Sequence, residues 1–532
     1  MSLIKHVGTI SGLTAISRVF GFARDMLFAR LFGAGLAADA FQLAFTLPNT
    51  FRRLFAEGAF SVAFVPMYSK KLHEDDGEAE AEAGIFANDV LSVFVWVLFG
   101  FSLLCIAGME GIVWLLAKDY HSVSGKFELS VTLSRITFPY LGLISVVALL
   151  SGILNTRSRF GPGAIAPILL NLSLISGMAW GWYFGYDDKV KAFSQSWAVF
   201  AAGILQLSYL WWSVRRAGVR LKLHWPKMTP DTKVLLWRIF PATFGAGIYQ
   251  LSQLADTFFA TSLKQGSLTL LKMGDRLNQM PLGIVGIALG TAILPALSRH
   301  IAAGDQKGAA ALQGRAIELA TLLTLPSAAA LSVCAPAFVN AFFVGGKFTS
   351  ADGAIMSQIV VALVCGLPAY VLVKVLEPGY FSRGDTRTPV KTAASALLFN
   401  IFLNLAVVRQ FGIVGLAGAT ACSASLNCLL LYGNLHRRGH FRFSLALAKR
   451  IFRQMLASAV MAVALWFALK ASMPWYSGTL ASKAGGIVML VGLGLAVYGL
   501  AALLFRAVDD QDLKMLTRWR SKRSIDEEIP GF

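Results

Sequence analysis

The chain has 532 residues, 56% of them hydrophobic and 14% charged, with a formal net charge of +19 and a mean hydropathy of +0.62. Ordinary soluble domains carry about a quarter of their residues as charges, so this balance excludes a soluble protein, and the apolar content excludes a disordered one. The longest polar stretches, 215–233 and the tail after Arg506, are too short to build a catalytic core of their own.

Apolar runs bounded by charges, Pro and Gly predict fourteen spans, at 10–33, 37–67, 86–108, 131–153, 162–182, 193–214, 236–262, 275–298, 312–333, 353–376, 390–408, 411–434, 451–469 and 484–505. A crossing needs roughly 20 apolar residues. Helices are expected throughout, because backbone in lipid must satisfy its own hydrogen bonds and the alternating pattern of a barrel is absent. The expected fold class is therefore an all-α polytopic membrane protein of about 14 transmembrane helices, with two six-helix bundles in a pseudo-twofold arrangement plus two C-terminal helices. Its expected divisions are an N-terminal bundle at 1–234, a C-terminal bundle at 235–434, and the last two spans with a basic tail at 435–532. Cys105, Cys334, Cys365, Cys422 and Cys428 lie in apolar runs without a CxxC pair and read as small packing residues rather than disulfides or zinc ligands. The N-terminus lacks the small-residue cleavage site of a signal peptide.

The even count of spans puts both termini on one side. With that side inside, 29 of the 48 basic residues fall in inside segments, 10 in outside loops and nine within spans. By the positive-inside rule both termini are expected in the cytoplasm. The charge is accounted for by topology, which leaves no reason to invoke nucleic acid.

The nine basic residues within spans are Arg18, Arg24, Arg30, Arg52, Arg53, Arg135, Arg276, Arg315 and Lys374. Each costs roughly 2.5–3.5 kcal/mol at a helix centre. Arg30, Arg135 and Arg315 lie near span ends, where long side chains reach the interface. Arg53 has Glu57 four residues on, a pairing that serves structure alone equally well. Arg18, Arg24, Arg52, Arg276 and Lys374 sit deeper, and the local acids Asp25, Asp39 and Asp275 are too few to pair them all. Such an excess of cation implies an anionic guest or a water-filled cavity, against the alternative of a closed ion-pair network. The planar guanidinium fork suits a phosphate.

Enzymatic signatures are missing. The seven histidines fall in predicted loops or at span edges, and no HExxH or GxSxG motif occurs. No phosphate-binding loop for ATP, metal site or cofactor is indicated, and a coupled ion is not identified. At an offset of 229, Pro66 falls on Pro295, Ser69 on Ser298, Pro139 on Pro368 and Asn171 on Asn400. This is the trace of a parallel repeat, with a substrate path between its halves.

The run Ser17-Arg18-Val19-Phe20-Gly21-Phe22-Ala23-Arg24-Asp25, continuing through Asp39-Ala40-Phe41 and Leu47-Pro48-Asn49 to Phe51-Arg52-Arg53-Leu54-Phe55-Ala56-Glu57-Gly58, closely resembles the MurJ (MviN) family of the MOP exporter superfamily. The likeness recurs at Gly286-Ile287-Ala288-Leu289-Gly290-Thr291 and at Val373-Lys374-Val375-Leu376. That family flips lipid II, the undecaprenyl-diphosphate-linked peptidoglycan precursor, across the bacterial cytoplasmic membrane. The resemblance implies a substrate-binding set of Arg18, Arg24, Arg52, Arg276, Asp39 and Asn49, with Asp25, Arg53, Glu57, Gln279 and Lys374 supporting the cavity. It also implies alternating access, a groove for the polyprenyl tail in the last two spans, and membrane lipids and other cell-wall synthesis proteins as partners. Many relatives carry an acid where this chain has Gln279. Two other readings are a flippase for a different polyprenyl-linked glycan and, from another class, an integral-membrane glycan transferase or diphosphatase.

Overall fold

The computed structural model describes residues 3–53, 59–72 and 79–508, and among these every regular element is helical. Glu57 and the basic tail beyond residue 508 lie outside the described residues. Nine helices among the described residues are long and apolar enough to cross a membrane. Their outward faces carry large apolar side chains such as Val97, Leu104, Phe452, Val488 and Leu495, a surface that only lipid solvates favourably.

Two compact units are present. Unit 1 comprises residues 1–273, 343–352 and 404–416, and unit 2 comprises 274–342, 353–403 and 417–532. Unit 1 contains α1 (Leu3–Phe32), α2 (Leu36–Arg52), α3 (Ala59–Leu72), α4 (Ala79–Ala107), α5 (Met109–Ala117), α6 (Lys126–Thr137), α7 (Tyr140–Thr156), α8 (Gly161–Tyr183), α9 (Asp188–Arg216) and α10 (Pro230–Thr261). Residues 235–273, which open the second half of the sequence, pack in this unit. In its interior Phe60 stacks on Phe64 and Phe94, and Phe64 stacks in turn on Tyr68 and Phe86. Phe60 and Phe64 lie four apart on α3, the spacing that puts two side chains on one helical face.

The helix α11 (Ser267–Pro281) begins in unit 1 and passes into unit 2, followed by a π-helical turn at Leu282–Gly286 and by α12 (Ile287–Ala302). Unit 2 continues with α13 (Gln306–Phe342), α14 (Ser350–Val364), α15 (Leu367–Phe381), α16 (Arg387–Arg437), α17 (Leu445–Ser472) and α18 (Leu480–Leu504). Val371, Val375 and Leu376 of α15 pack with Ile317 and Ala320 of α13 and with Leu431 and Leu435 of α16. Cys334 and Ala337 of α13 meet Met461 and Leu465 of α17 and Leu490 of α18. Not all cysteines are packing residues, since Cys365 and Cys422 are exposed.

Among the described residues, three expected single spans are interrupted helices. The 131–153 span is α6 and α7, which part at Phe138-Pro139, and the 353–376 span is α14 and α15, which part just before Leu367-Pro368. Proline lacks the amide that would continue the ladder, and its ring collides with the preceding turn. The 275–298 span likewise divides into α11 and α12 around the π-helical turn. The interruptions repeat. A shift of 229 residues carries Leu3–Phe32 onto 232–261, against Pro230–Thr261 for α10, and Tyr140–Thr156 onto 369–385, against Leu367–Phe381 for α15.

The 51-residue α16 is two helices, separated at Gly412, where φ is 57° and ψ is −138°. Its ends are clasped together. Asp385 accepts hydrogen bonds from the Thr388 amide (3.0 Å) and hydroxyl (2.6 Å) at the start of α16, and from Arg438 (2.6 Å) at its end. Burial opposes the charge on Asp385, but the Thr388 and Arg438 hydrogen bonds hold its carboxyl well below the usual carboxylate range.

Two outcomes follow from the α16 turn. Because the Gly412 backbone is one that residues with a Cβ rarely adopt, Gly412→Val is expected to destabilise the fold by about 1–3 kcal/mol, whereas Gly418→Ala, which meets open space, leaves the unfolding midpoint in detergent unchanged. A depressed carboxyl pKa stabilises above the unfolded value of about 3.9 and stops doing so as pH falls toward the folded value. Asp385→Asn is therefore expected to remove part of the acid-side loss of stability measured in pH-dependent unfolding.

Candidate substrate-binding site

On α1, Arg24 does not stand free. Its Nη2 lies 2.6 Å and its Nε 3.0 Å from Asp25 Oδ1, while Nη1 donates to Asn171 Oδ1 on α8 at 3.0 Å. Asn171 is buried and donates in turn to the Ser17 carbonyl at 3.1 Å. Neighbouring residues on a helix normally diverge, so it is Asn171, reaching across from α8, that fixes the direction of the guanidinium. α8 approaches closely here, where a Cβ on Gly21 of α1 would sit 3.4 Å from the Asn171 amide.

At the end of α2, Arg52 Nε donates to Asn49 Oδ1 at 3.2 Å. Asn49, expected as a ligand, thus serves here as a support for an arginine. Arg53, the C-cap of α2, is half-buried, and Arg18 is exposed on α1. Arg135 and Arg315 are also exposed, consistent with side chains that reach an interface.

In unit 2, Arg276 is half-buried on α11. Beside it Asp275 accepts hydrogen bonds from Asn278 and Gln279. The amide at 279 therefore satisfies a carboxylate one turn away, where an acid would repel it. Lys374 on α15 is exposed and pairs with Glu377 at 3.2 Å. Its backbone is where α12 comes close, since a Cβ on Gly290 would lie 3.2 Å from the Lys374 carbonyl oxygen.

Asp39 departs most from expectation. It is 2% exposed, and both carboxylate oxygens are occupied. Oδ2 accepts from Lys126 Nζ at 2.9 Å and the Gly266 amide at 2.7 Å, and Oδ1 accepts from the Thr269 amide at 3.1 Å and hydroxyl at 2.8 Å. This carboxylate ties the start of α2 to the starts of α6 and α11 and in this conformation is not available to a substrate. Lys126, at the start of α6, has its side chain buried and also sits 3.9 Å from the Tyr120 ring centroid, a cation–π contact. Gly266 is required at its position, because φ is +90° and a Cβ would collide with the Ala34 carbonyl oxygen.

Sequence reasoning missed Lys126 and Thr269 entirely and met Asn171 only as a repeat match. Lys126 stands in a polar loop next to a predicted span, and nothing local distinguishes it from a topology-setting lysine. Among the described residues no group of three or more His, Cys, Asp or Glu is arranged to hold a metal ion.

Comparison with known proteins follows the same lines. The fold superposes on a structure described as "Lipid II flippase MurJ, inward closed conformation", with a TM-score of 0.77 at 24% identity, covering 93% of this chain and 98% of the other. It also superposes on an inward-facing multidrug resistance MATE family transporter of the MOP superfamily, with a TM-score of 0.66 at 12% identity, covering 81% of this chain and 98% of that one. Fold and composition thus define a polytopic helical membrane protein that shares its fold with these two structures. The family model "Lipid II flippase MurJ" matches residues 28–485. A probable lipid II flippase MurJ of Rhizobium meliloti is 40% identical over 503 residues, spanning 94% of this chain and 93% of the relative, and the lipid II flippase MurJ of Burkholderia cenocepacia is 34% identical over 475 residues, spanning 88% and 91%. The chain belongs to the lipid II flippase MurJ family.

The Asp39 cluster makes a clear prediction. Asp39→Ala strands a buried ammonium and is expected to cost about 3–5 kcal/mol, read as a lower unfolding midpoint in detergent. Adding Lys126→Met should recover part of that loss, and strict additivity would show that the two groups do not interact.

Proposed function

We propose that this chain moves lipid II from the cytoplasmic to the outer leaflet of the bacterial cytoplasmic membrane, with both termini in the cytoplasm. The observation that carries this reading is family membership over nearly the whole chain, together with Arg24, Arg52 and Arg276 half-buried on the positions that the resemblance singles out. Arg18, Arg24, Arg52 and Arg276 receive the diphosphate and sugar head. Planar guanidiniums donate paired hydrogen bonds to phosphate oxygens, and a poorly solvated site strengthens them. Asn171, Asp25 and Asn49 hold Arg24 and Arg52 in place. Their contacts are individually exchangeable for phosphate oxygens, so a guest is bound without leaving a bare charge in its absence.

Alternating access between the two six-helix halves, 1–234 and 235–434, then exposes the head on the outer side while the polyprenyl tail stays in lipid, beside the last two helices. With the N-terminus inside, the Asp39 cluster lies toward the outer side, so opening there must separate Asp39 from the start of α11 at Gly266 and Thr269. Any net charge that moves with this step gains or loses about 2.3 kcal/mol per 100 mV of membrane potential.

In a strain depleted of its own flippase, Arg24→Ala and Arg276→Ala are expected to abolish growth rescue while protein levels in the membrane stay normal. Rescue by either would remove that arginine from the binding site. Undiminished arrival of lipid II at the outer leaflet after depletion of this chain, in a host with no second flippase, would overturn the function. Phosphate release with turnover by the purified protein would assign it to the enzyme class instead.

A further inference from the structure

The turn between α1 and α2, Gly33-Ala34-Gly35, is held by a distant part of the chain. Residues 343–352 pack in unit 1, although 274–342 before them and 353–403 after them belong to unit 2. Gly345 and Phe348 exchange backbone hydrogen bonds at 3.0 and 3.1 Å around Gly346-Lys347. This is a two-residue hairpin with glycine at its first central position, where φ is +57°. It caps α1. The Lys347 amide donates to the Arg30 carbonyl at 2.8 Å, one of the last-turn carbonyls that a helix leaves without an amide of its own. Lys347 Nζ lies 2.5 Å from Asp188 Oδ1 at the start of α9, and the fully buried Phe343 meets Phe22 of α1 edge-on, with ring centroids 5.9 Å apart.

Against the turn itself the contact is backbone on backbone. A Cβ on Gly33, where φ is +63°, would stand 2.6 Å from the Lys347 carbonyl oxygen, and one on Gly346 would collide with the Arg30 carbonyl. Glycine on both sides lets two main chains meet with no side chains interleaved, so this face of the hairpin lifts away without repacking. One residue along, the Ala34 carbonyl is where Gly266 comes close, and the Gly266 amide in turn binds Asp39. The hairpin also has no slack. Phe343 follows α13 directly, and Thr349 alone separates Phe348 from α14. One residue spans about 3.5 Å at most, so the hairpin travels with the two helices that carry it. Resting on the alternating-access reading above, we propose that the 343–349 hairpin is a latch on the α1–α2 turn, which must lift off Arg30, Gly33 and Asp188 before the outer side opens. With the N-terminus inside, this seat faces the outer side.

The test staples the latch shut. The Lys347 and Asp188 side chains are 50% and 37% exposed, within reach of a reagent. In a full-length chain whose five cysteines are alanine, Asp188→Cys with Lys347→Cys is joined by a short, reducible bis-methanethiosulfonate in lipid nanodiscs. Hydrogen exchange at the Gly266 and Thr269 amides, both bonded to Asp39, reports outer opening. The staple is expected to slow it by at least about tenfold, with the parent rate restored by reduction and kept by each single-cysteine chain. Lys347→Glu, which sets a carboxylate against Asp188, is expected to speed exchange at the same amides, whereas Lys347→Arg keeps the parent rate. Unchanged exchange in the stapled chain, or in Lys347→Glu, overturns the proposal. So does undiminished delivery of lipid II to the outer leaflet by the stapled chain. A chain that exchanges as expected but moves no lipid II before stapling removes the transport reading and leaves the latch standing, so the two failures are told apart.

Discussion

A charge carried into a bilayer must find a partner within the protein or keep contact with water, since the hydrocarbon supplies neither. The fold is organised by how these debts are met. Asp39 is the clearest case, a carboxylate surrounded by an ammonium, two backbone amides and a hydroxyl drawn from separate stretches of chain. An isolated buried ion pair is weak support for a fold. One in which the remaining hydrogen-bonding capacity is also filled, with the lysine resting on an aromatic ring, makes breaking the arrangement costly. The helix α11 begins at this carboxylate and then continues into unit 2.

The arginines are treated differently. Arg24 leans on an adjacent acid and on the amide of Asn171, and Arg52 on the amide of Asn49. Amide partners orient a guanidinium without neutralising it. Arg24 also shares a full ion pair with Asp25 at 2.6 Å, as Arg450 does with Glu318 at 2.9 Å, so its remaining N–H directions are set by Asn171 and not by the acid alone.

Helix interruptions form the second organising feature. Pro139 and Pro368 lie at matching breaks, and α11 and α12 are separated by a π-helical turn. A run of apolar residues reveals that a segment crosses the membrane but not whether its ladder is continuous. The proline positions were visible in the sequence, whereas the complete break at each one depends on what the flanking helices pack against. Gln279 shows the same limit from another side. Its departure from an acid was legible, but its partner, Asp275, became apparent only in the folded helix.

By itself the sequence determined the membrane-spanning helical class, the segments that carry helix, the family and the positions of the deep cations. These follow from composition, from local apolar periodicity and from contiguous motifs, all of which are properties of short stretches of chain. Tertiary structure alone decided which charges meet. Lys126 and Asp39 are 87 residues apart, Arg450 and Glu318 are 132 apart, and Arg24 and Asn171 are 147 apart. No local pattern encodes such pairings, because they are set by which helix faces come together and by the low dielectric that makes an unmatched charge there expensive.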